Sequence, residues 1–403
     1  MAALDRPVRV GFDVTSLRSP RTGVGRYAHE LLGALWRTGP EAAIVPVSQR
    51  SLVADDLPWN PSSPVRVTGP HCPIRAVWTL GVLPAWLPSS GLDLLHVPGY
   101  AAPVSGRMPL VVTLHDMSVL ACPEFHPLAR VARARLLLRP IARRATAIIT
   151  PSLWSKLEIV HWLDIPEERI HVVAHAPARW FRPAPGSLDP PDARDAMGAP
   201  DAPDAPGAPD GLGAAVARPG YLLWVGTVEP RKNLGRLLEA LAMLRRDGQW
   251  VNLVIAGRLG WKHGPLLKRI ATLGLAGQVR RVDFVTDARL VDLMTHASAL
   301  VYPSLYEGFG LPIAEAMACG LPVITSDRGA PAEVAGGAAM LVDPEDPRAM
   351  GDAIARLLTS GELRSELRRR GLERAQVWSW EAAARQTLDV YHAVVGSNGR
   401  TVG

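Results

Sequence analysis

Apolar, β-branched runs alternate with stretches of helical period along all 403 residues, the signature of parallel α/β layers. In the first half VRVGFDV (8–14), AAIVPVS (42–48), DLLHVPG (93–99), PLVVTLHD (109–116), AIITPS (147–152) and IHVVAHA (170–176) read as strands. GRYAHELLGALW (25–36) and LWSKLEIVHWL (153–163) place apolar residues at helical spacing between them. The texture then changes: 182–220 is Pro, Ala, Asp and Gly with almost no bulky apolar residue, too little to order itself by burial. After it the alternation restarts with YLLWVG (221–226), VNLVIAG (251–257), RRVDFV (280–285), ALVYPS (299–304), LPVITSD (321–327) and AAMLVD (338–343). LGRLLEALAMLRR (234–246) and RLVDLMTHAS (289–298) supply helices there. The expected architecture is α/β, with two doubly wound domains at 1–180 and 221–375. A linker or insertion at 181–220 joins them and a helical tail follows at 376–403. Open parallel sheets bind ligands beyond the carboxyl ends of their strands, so the loops there are where chemistry is expected.

Composition sharpens this only in places. A hydrophobic share of 48% and a charged share of 20% suit a soluble globular chain with a sizeable core. The start MAALDRPVRVGFDV does not resemble a signal peptide, and no apolar run approaches the roughly 18–20 residues of a spanning helix. Cys72, Cys122 and Cys319 are odd in number and far apart, which suits reduced thiols rather than a disulfide framework or zinc site. The expected location is cytoplasmic, or peripheral on the inner face of the cell membrane. The net charge of +6 sits wholly in residues 1–180, which hold 19 Lys/Arg against 13 Asp/Glu, whereas 181–403 balance at 25 each. HPLARVARARLLLRPIARRA (126–145) carries six arginines, and no acid occurs between Glu124 and Glu158. Three readings stand: contact with an anionic membrane, a merely solvated helix face, or arginines that meet an anionic ligand. Nucleic acid is not expected, since no recognition motif accompanies the charge.

Two loops of the second domain attract attention. After YLLWVG, the turn TVEPRKN brings Arg231 and Lys232 just ahead of a helix, with Asn233 as a candidate N-cap. Backbone N–H groups and the helix dipole favour anions at such a place, and a diphosphate would fit; a merely solvated pair of cations is the plainer alternative. After ALVYPS, the loop LYEGFGLPIAEAM sets Glu307 and Glu315 eight positions apart around Gly308, Phe309, Gly310 and Leu311. Its glycines allow a ligand close to the backbone, and Pro312 suits a helix start. Glu315, one turn in, could accept hydrogen bonds from the vicinal hydroxyls of a ribose, or simply complement the helix dipole. The dipole explains Glu315 but neither Glu307 nor the glycines.

These segments together, SLYEGFGLPIAEAMACGLPVITSD and VGTVEPRKNLGRLLEAL, resemble the retaining GT-B glycosyltransferases of family 4 (group 1), in particular the mannosyltransferase-like subgroup. RTGVGRYAHELL (21–32), VVTLHDMSVLACPEFH (111–126), AIITPSLWSKLEIV (147–160) and VWSWEAAARQTLDVYHAVV (377–395) resemble further segments of that family. The resemblance implies two Rossmann-like domains facing a central cleft, the first on the acceptor side and the second on the donor side, with a C-terminal helix crossing back to the first. It implies a hexosyl transfer, mannose first, from a nucleotide-diphosphate sugar to a glycan or lipid-linked acceptor, with no cofactor. By position it implies that Glu315 holds the ribose, Glu307 the donor sugar, and Lys232 with Arg231 the diphosphate. Gly23 and Gly25 would let a first-domain loop close over the phosphates, and His115, beside Asp116, would lie at the reacting sugar. Thr227 stands where many relatives have arginine, which leaves more of the charge to Lys232 and Arg231.

No Asp-x-Asp occurs in the chain, so no metal is expected, and the leaving diphosphate would be stabilised by cations and backbone donors. A nicotinamide-dependent oxidoreductase is the rival from another class, because GVGRYA (23–28) fits Gly-x-Gly-x-x-Ala. Eight residues separate that glycine from its strand, however, and the dinucleotide fingerprint needs a tight turn. A catalytically silent partner of the same fold is the other alternative.

Overall fold

The computed structural model describes residues 6–17, 23–39, 42–50, 57–58, 67–183 and 220–398. Arg21, Thr22, Trp59 and almost all of the 181–220 segment lie outside the described residues. The chain forms two compact units. One gathers the described residues of Met1–Ala121, Leu128–Ala176 and Trp378–Gly403; the other those of Cys122–Pro127 and Pro177–Val377.

The first unit holds a parallel six-stranded sheet in the order β2-β1-β3-β4-β5-β6. Its strands are β1 Val8–Asp13, β2 Ala42–Val47, β3 Leu94–Val97, β4 Leu110–Thr113, β5 Ala147–Thr150 and β6 Ile170–Val172. β3, β4 and β5 are buried at every residue, as expected of parallel strands covered on both faces. The helix Gly23–Arg37 packs Tyr27, Leu31, Leu32 and Leu35 onto this core. Gly23 and Gly25 are already helical. The loop that the resemblance implied therefore does not include these two positions: the helix read from Gly25 starts two residues earlier, at Gly23.

The C-terminal helix Trp380–Asn398 belongs to this first unit and packs on Gly23–Arg37, β1 and β5. A buried polar chain ties it down. Tyr391 Oη lies 2.6 Å from His96 Nδ1, His96 Nε2 2.8 Å from Thr113 Oγ1, and Thr113 Oγ1 2.9 Å from Tyr27 Oη. Trp380 stacks on His175, with ring centroids 6.0 Å apart. Burial, with His115 adding to it, pulls His96 down to about 3, so this chain is built on a neutral imidazole.

The second unit repeats the theme with a parallel sheet in the order β12-β11-β10-β7-β8-β9. These are β7 Tyr221–Val225, β8 Leu253–Ala256, β9 Val279–Val282, β10 Ala297–Tyr302, β11 Val323–Ser326 and β12 Met340–Val342. Helices Leu234–Arg246 and Pro347–Thr359 supply Leu237, Leu241, Ile354 and Leu357 to a core with Trp224 and Val301. Gly257 ends β8 in close approach to β7: a Cβ there would sit 1.9 Å from Gly226 O, so no larger residue fits. Among the described residues no helix is long and apolar enough to cross a membrane.

Tyr391→Phe removes the partner of a buried imidazole nitrogen and is expected to cost about 1–3 kcal/mol, read as a lower urea midpoint for the intact chain. His96 titrates at 6.5 when unperturbed and about 3 when folded, so the unfolded chain takes the proton first. The stability it contributes is complete above pH 6.5 and is lost as pH falls toward 3. A His96→Asn variant is expected to flatten that part of the acid unfolding curve.

Candidate active site

The order of the second sheet reverses between β7 and β10, which lie side by side in parallel. Loops leaving adjacent strands at such a switch point open a crevice at the carboxyl end of the sheet. The two loops singled out in the sequence leave these two strands. β7 leads through Gly226 to the tight turn Pro230–Lys232 and the helix Leu234–Arg246. β10 leads through Glu307 to the helix Leu311–Ala318. They are joined directly, as Leu305 N donates to Arg231 O at 2.9 Å.

Four ionic side chains converge there. Lys232 Nζ lies 2.5 Å from Glu307 Oε1. Arg231 bridges Glu307 Oε2 at 3.0 Å and Glu229 Oε1 at 2.7 Å, and also donates to Tyr306 O. Tyr302, the last residue of β10, donates from Oη to Glu307 Oε1 at 2.9 Å and accepts from Lys232 Nζ. Lys232, Glu307, Glu229 and Tyr302 are all buried. Burial pushes the Glu307 carboxyl up, but Arg231 and Lys232 outweigh it and hold the group at about 2. Burial lowers Lys232 against the pull of Glu307. The resemblance implied that Glu307 meets the donor sugar; in the structure its carboxylate pairs with both Lys232 and Arg231.

Asn233 occupies the N-cap position but does not cap. It takes a left-handed conformation, φ 59°, and spends its side-chain amide on the carbonyls of Pro303 and Pro344, at 3.0 and 2.6 Å. This corrects the capping expectation, since a backbone in that conformation turns the side chain toward the neighbouring loops. Gly310 is left-handed as well, φ 102°, and a Cβ there would press on Ile313 at 3.0 Å, so the chain can enter the Leu311–Ala318 helix only with glycine. Gly308, Phe309 and Gly310 are buried, Leu311 is half-buried, and Glu315 is 2% exposed on the inner face of that helix. Burial, and then the Glu315 charge, push the neighbouring Cys319 thiol up to about 12, so this cysteine is inert.

His115 and Asp116 follow β4 in the first unit. His115 Nε2 lies 3.2 Å from Pro98 O, and a carbonyl only accepts, so Nε2 carries the proton and Nδ1 is left as an acceptor. Burial keeps the ring neutral by lowering its pKa. Tyr27 meets it edge-on at 4.8 Å and His175 at 5.4 Å. Asp116 Oδ1 accepts from Ser118 N and Oγ at 2.9 and 2.7 Å. No group of three or more potential metal-ligating side chains occurs among the described residues.

The family model described as "Glycosyl transferases group 1" matches residues 214–374, and that described as "Glycosyltransferase Family 4" matches 21–176. The chain is 30% identical over 358 residues to a D-inositol 3-phosphate glycosyltransferase of Streptomyces griseus, covering 80% of this chain and 72% of the relative. This chain belongs to glycosyltransferase family 4, group 1. It is 29% identical over 399 residues to the O-antigen chain mannosyltransferase B of Escherichia coli, across 95% of this chain and 99% of that one. Sucrose-phosphate synthase from Thermosynechococcus elongatus shares the fold, with a TM-score of 0.72 at 20% identity over 97% of this chain and 100% of that one. The fold is thus GT-B and the family 4 protein is a hexosyltransferase.

In this family 4 enzyme the sequence pointed to Arg231, Lys232, Glu307 and Glu315 but missed Tyr302 and Glu229. A hydroxyl as the final residue of the switch-point strand, three positions ahead of the predicted loop, was the available signal. Glu229 stands two residues before Arg231, a spacing that the turn folds into an ion pair.

Glu307→Gln leaves buried Lys232 and half-buried Arg231 with less compensation, and is expected to cost about 3 kcal/mol of stability. It also removes the anion that favours the Lys232 ammonium. The alkaline limb of the kcat–pH profile is therefore expected to move to lower pH, checked by steady-state rates across pH.

Proposed function

We propose that the enzyme transfers mannose from GDP-mannose, ahead of UDP- or TDP-sugars, to a glycan or lipid-linked saccharide, with retention and without a metal ion. The carrying observation is the buried meeting of Lys232 and Arg231 with Glu307 at the switch point, beside the start of the Leu311–Ala318 helix. Near-complete coverage of the O-antigen chain mannosyltransferase B supports mannose and a role in polysaccharide assembly. In this reading Lys232 and Arg231, with backbone N–H groups near Gly310 and Leu311, hold the diphosphate. Glu315 accepts from the ribose hydroxyls, and Glu307 orients the sugar and the Lys232 ammonium together. The anomeric carbon–phosphate oxygen bond breaks, the acceptor oxygen bonds to that carbon on the same face, and the acceptor proton passes to the departing phosphate oxygen. Neither glutamate is then a covalent nucleophile. Neutral His115 offers Nδ1 to a sugar hydroxyl.

Stabilising charge that grows as the bond breaks is what raises turnover. Lys232→Ala is accordingly expected to lower kcat about 100-fold, and unchanged turnover would remove that assignment. Glu315→Ala is expected to act mainly on the donor KM, raising it about tenfold, the worth of one charge-assisted hydrogen bond. Thermal shifts with GDP, UDP and TDP, each with Mg²⁺ or EDTA, test the donor. A larger shift with GDP that survives EDTA agrees with this reading, whereas strict metal dependence defeats it.

The helix Leu128–Arg144 supports peripheral membrane contact. Leu128 and Leu136 are 86% and 71% exposed, on the same side as Arg135, Arg139 and Arg143, the arrangement of an interfacial helix. Leu136→Asp is expected to weaken sedimentation with vesicles rich in phosphatidylglycerol; equal binding to neutral vesicles would count against this contact.

A further inference from the structure

The first sheet also has a switch point, between β1 and β3, and a cavity of about 600 Å³ lies at the carboxyl ends of these strands. That size falls within the range of small-molecule sites, roughly 300–1,000 Å³. Its composition is divided. Toward the strand ends sit groups suited to hydroxyls: the Asp13 carboxylate, Ser16 and Gln49. Gln49 is only 5% exposed, yet its Oε1 and the Ser16 Oγ have no hydrogen-bond partner among the described residues. Such buried polar atoms are costly unless something completes them.

Around these groups stand Arg50, Arg75, Arg130 and Arg133. Arg50 is held in place by donating to Pro73 O at 2.7 Å. Arg130 and Arg133 lie one turn apart on the helix Leu128–Arg144, with Leu137 a turn further along the same cavity-facing stripe. Among the described residues, Asp13 and Asp116 are the carboxylates lining the cavity. Asp116 is committed to Ser118, and Asp13 accepts from Thr15 N at 2.8 Å. Among the described lining residues four guanidinium groups stand with two carboxylates, a balance that suits an anionic ligand better than a neutral sugar. The helix therefore divides its arginines, two toward the cavity and others on its outer face.

We infer that this cavity seats an acceptor whose sugar carries a phosphate ester, the hydroxyls meeting Ser16 and Gln49 and the phosphate meeting Arg130 and Arg133. Arginine forks match phosphate oxygens in pairs, which favours phosphate over a neutral group. The inference rests on the glycosyl-transfer reading for the identity of the ligand as acceptor, but not on the choice of donor base. A soluble sugar phosphate and a lipid-linked phosphodiester share this chemistry.

The test is calorimetric titration of the full chain with mannose 1-phosphate, octyl mannosyl phosphodiester, mannose, glucuronate and, separately, GDP. Both phosphate esters are expected to bind at least about tenfold more tightly than mannose. The Arg130→Gln/Arg133→Gln double variant is expected to lose that advantage while its GDP affinity stays unchanged, and Arg133→Lys to retain part of it. Tighter binding of the octyl ester assigns the lipid-linked source, and equal binding the soluble one. Glucuronate matching the phosphate esters, or displacement of mannose 1-phosphate by GDP in direct competition, overturns the inference. So does GDP binding with no preference for phosphate over mannose. Phosphate preference without any nucleotide binding would instead leave this cavity as inferred and defeat the donor reading.

Discussion

The second unit turns on a buried group of four charges. Arg231 and Lys232 come from one loop, Glu307 from another, and Glu229 closes the set. Burying any one alone would be expensive; two of each sign with short contacts make it tolerable, and removing one partner strands another. Because the charges come from loops on adjacent strands, the geometry holds only if β7 and β10 are neighbours. Asn233 reinforces this by clamping the carbonyls of Pro303 and Pro344, and Tyr302 spans the Lys232–Glu307 pair from beneath. The sheet order, the left-handed Asn233 and the glycine-gated helix at Gly310 all serve one arrangement of charge.

The first unit solves an analogous problem without ions. Its internal polar chain runs through Tyr391, neutral His96, Thr113 and Tyr27, and it fastens the last helix of the chain to the first sheet. Burial lowers the pKa of His96, His115 and His175 alike. The ionic surplus of this unit is pushed outward, to the cavity rim and the face of the helix Leu128–Arg144. The first unit thus keeps a neutral interior under a charged rim, whereas the second buries its charges at the switch point.

The strands were legible because each is a short apolar run ended by a glycine, proline or polar residue, and parallel strands need little else. Every run named in the first subsection contributes a strand; each ends one to four residues early, while β9 and β10 begin one and two residues before the runs read for them. The loops were legible by residue type and not by partner. Nothing in the spacing of Glu307 says that it turns back on Lys232, 75 residues away, since that contact depends on which strands are neighbours. His96 and Tyr391 are 295 positions apart, and no local pattern links them. At Gly23 and Gly25 the resemblance implied a loop, while the helical run read from Gly25 onward already pointed to the helix that forms there.

The internal pairing of Lys232 with Glu307 bears on how a cation can favour bond breaking over binding. A cation with no counter-ion would grip a diphosphate strongly in the ground state, and that grip would not lower the barrier, because only interactions that strengthen toward the transition state do so. Glu307 already supplies negative charge to the ammonium, so the net attraction for a resting diphosphate is moderated. In the proposed transfer, as the sugar–phosphate bond lengthens, negative charge gathers on the departing oxygen, and the balance of the Lys232 hydrogen bonds would shift from carboxylate toward phosphate. The buried setting makes that shift large, since little water screens it. Glu315 is buried on the helix that Gly310 admits, which in the proposed reading suits a constant hold on hydroxyls that do not change charge. In the proposed reading one glutamate thus serves a changing interaction and the other a fixed one.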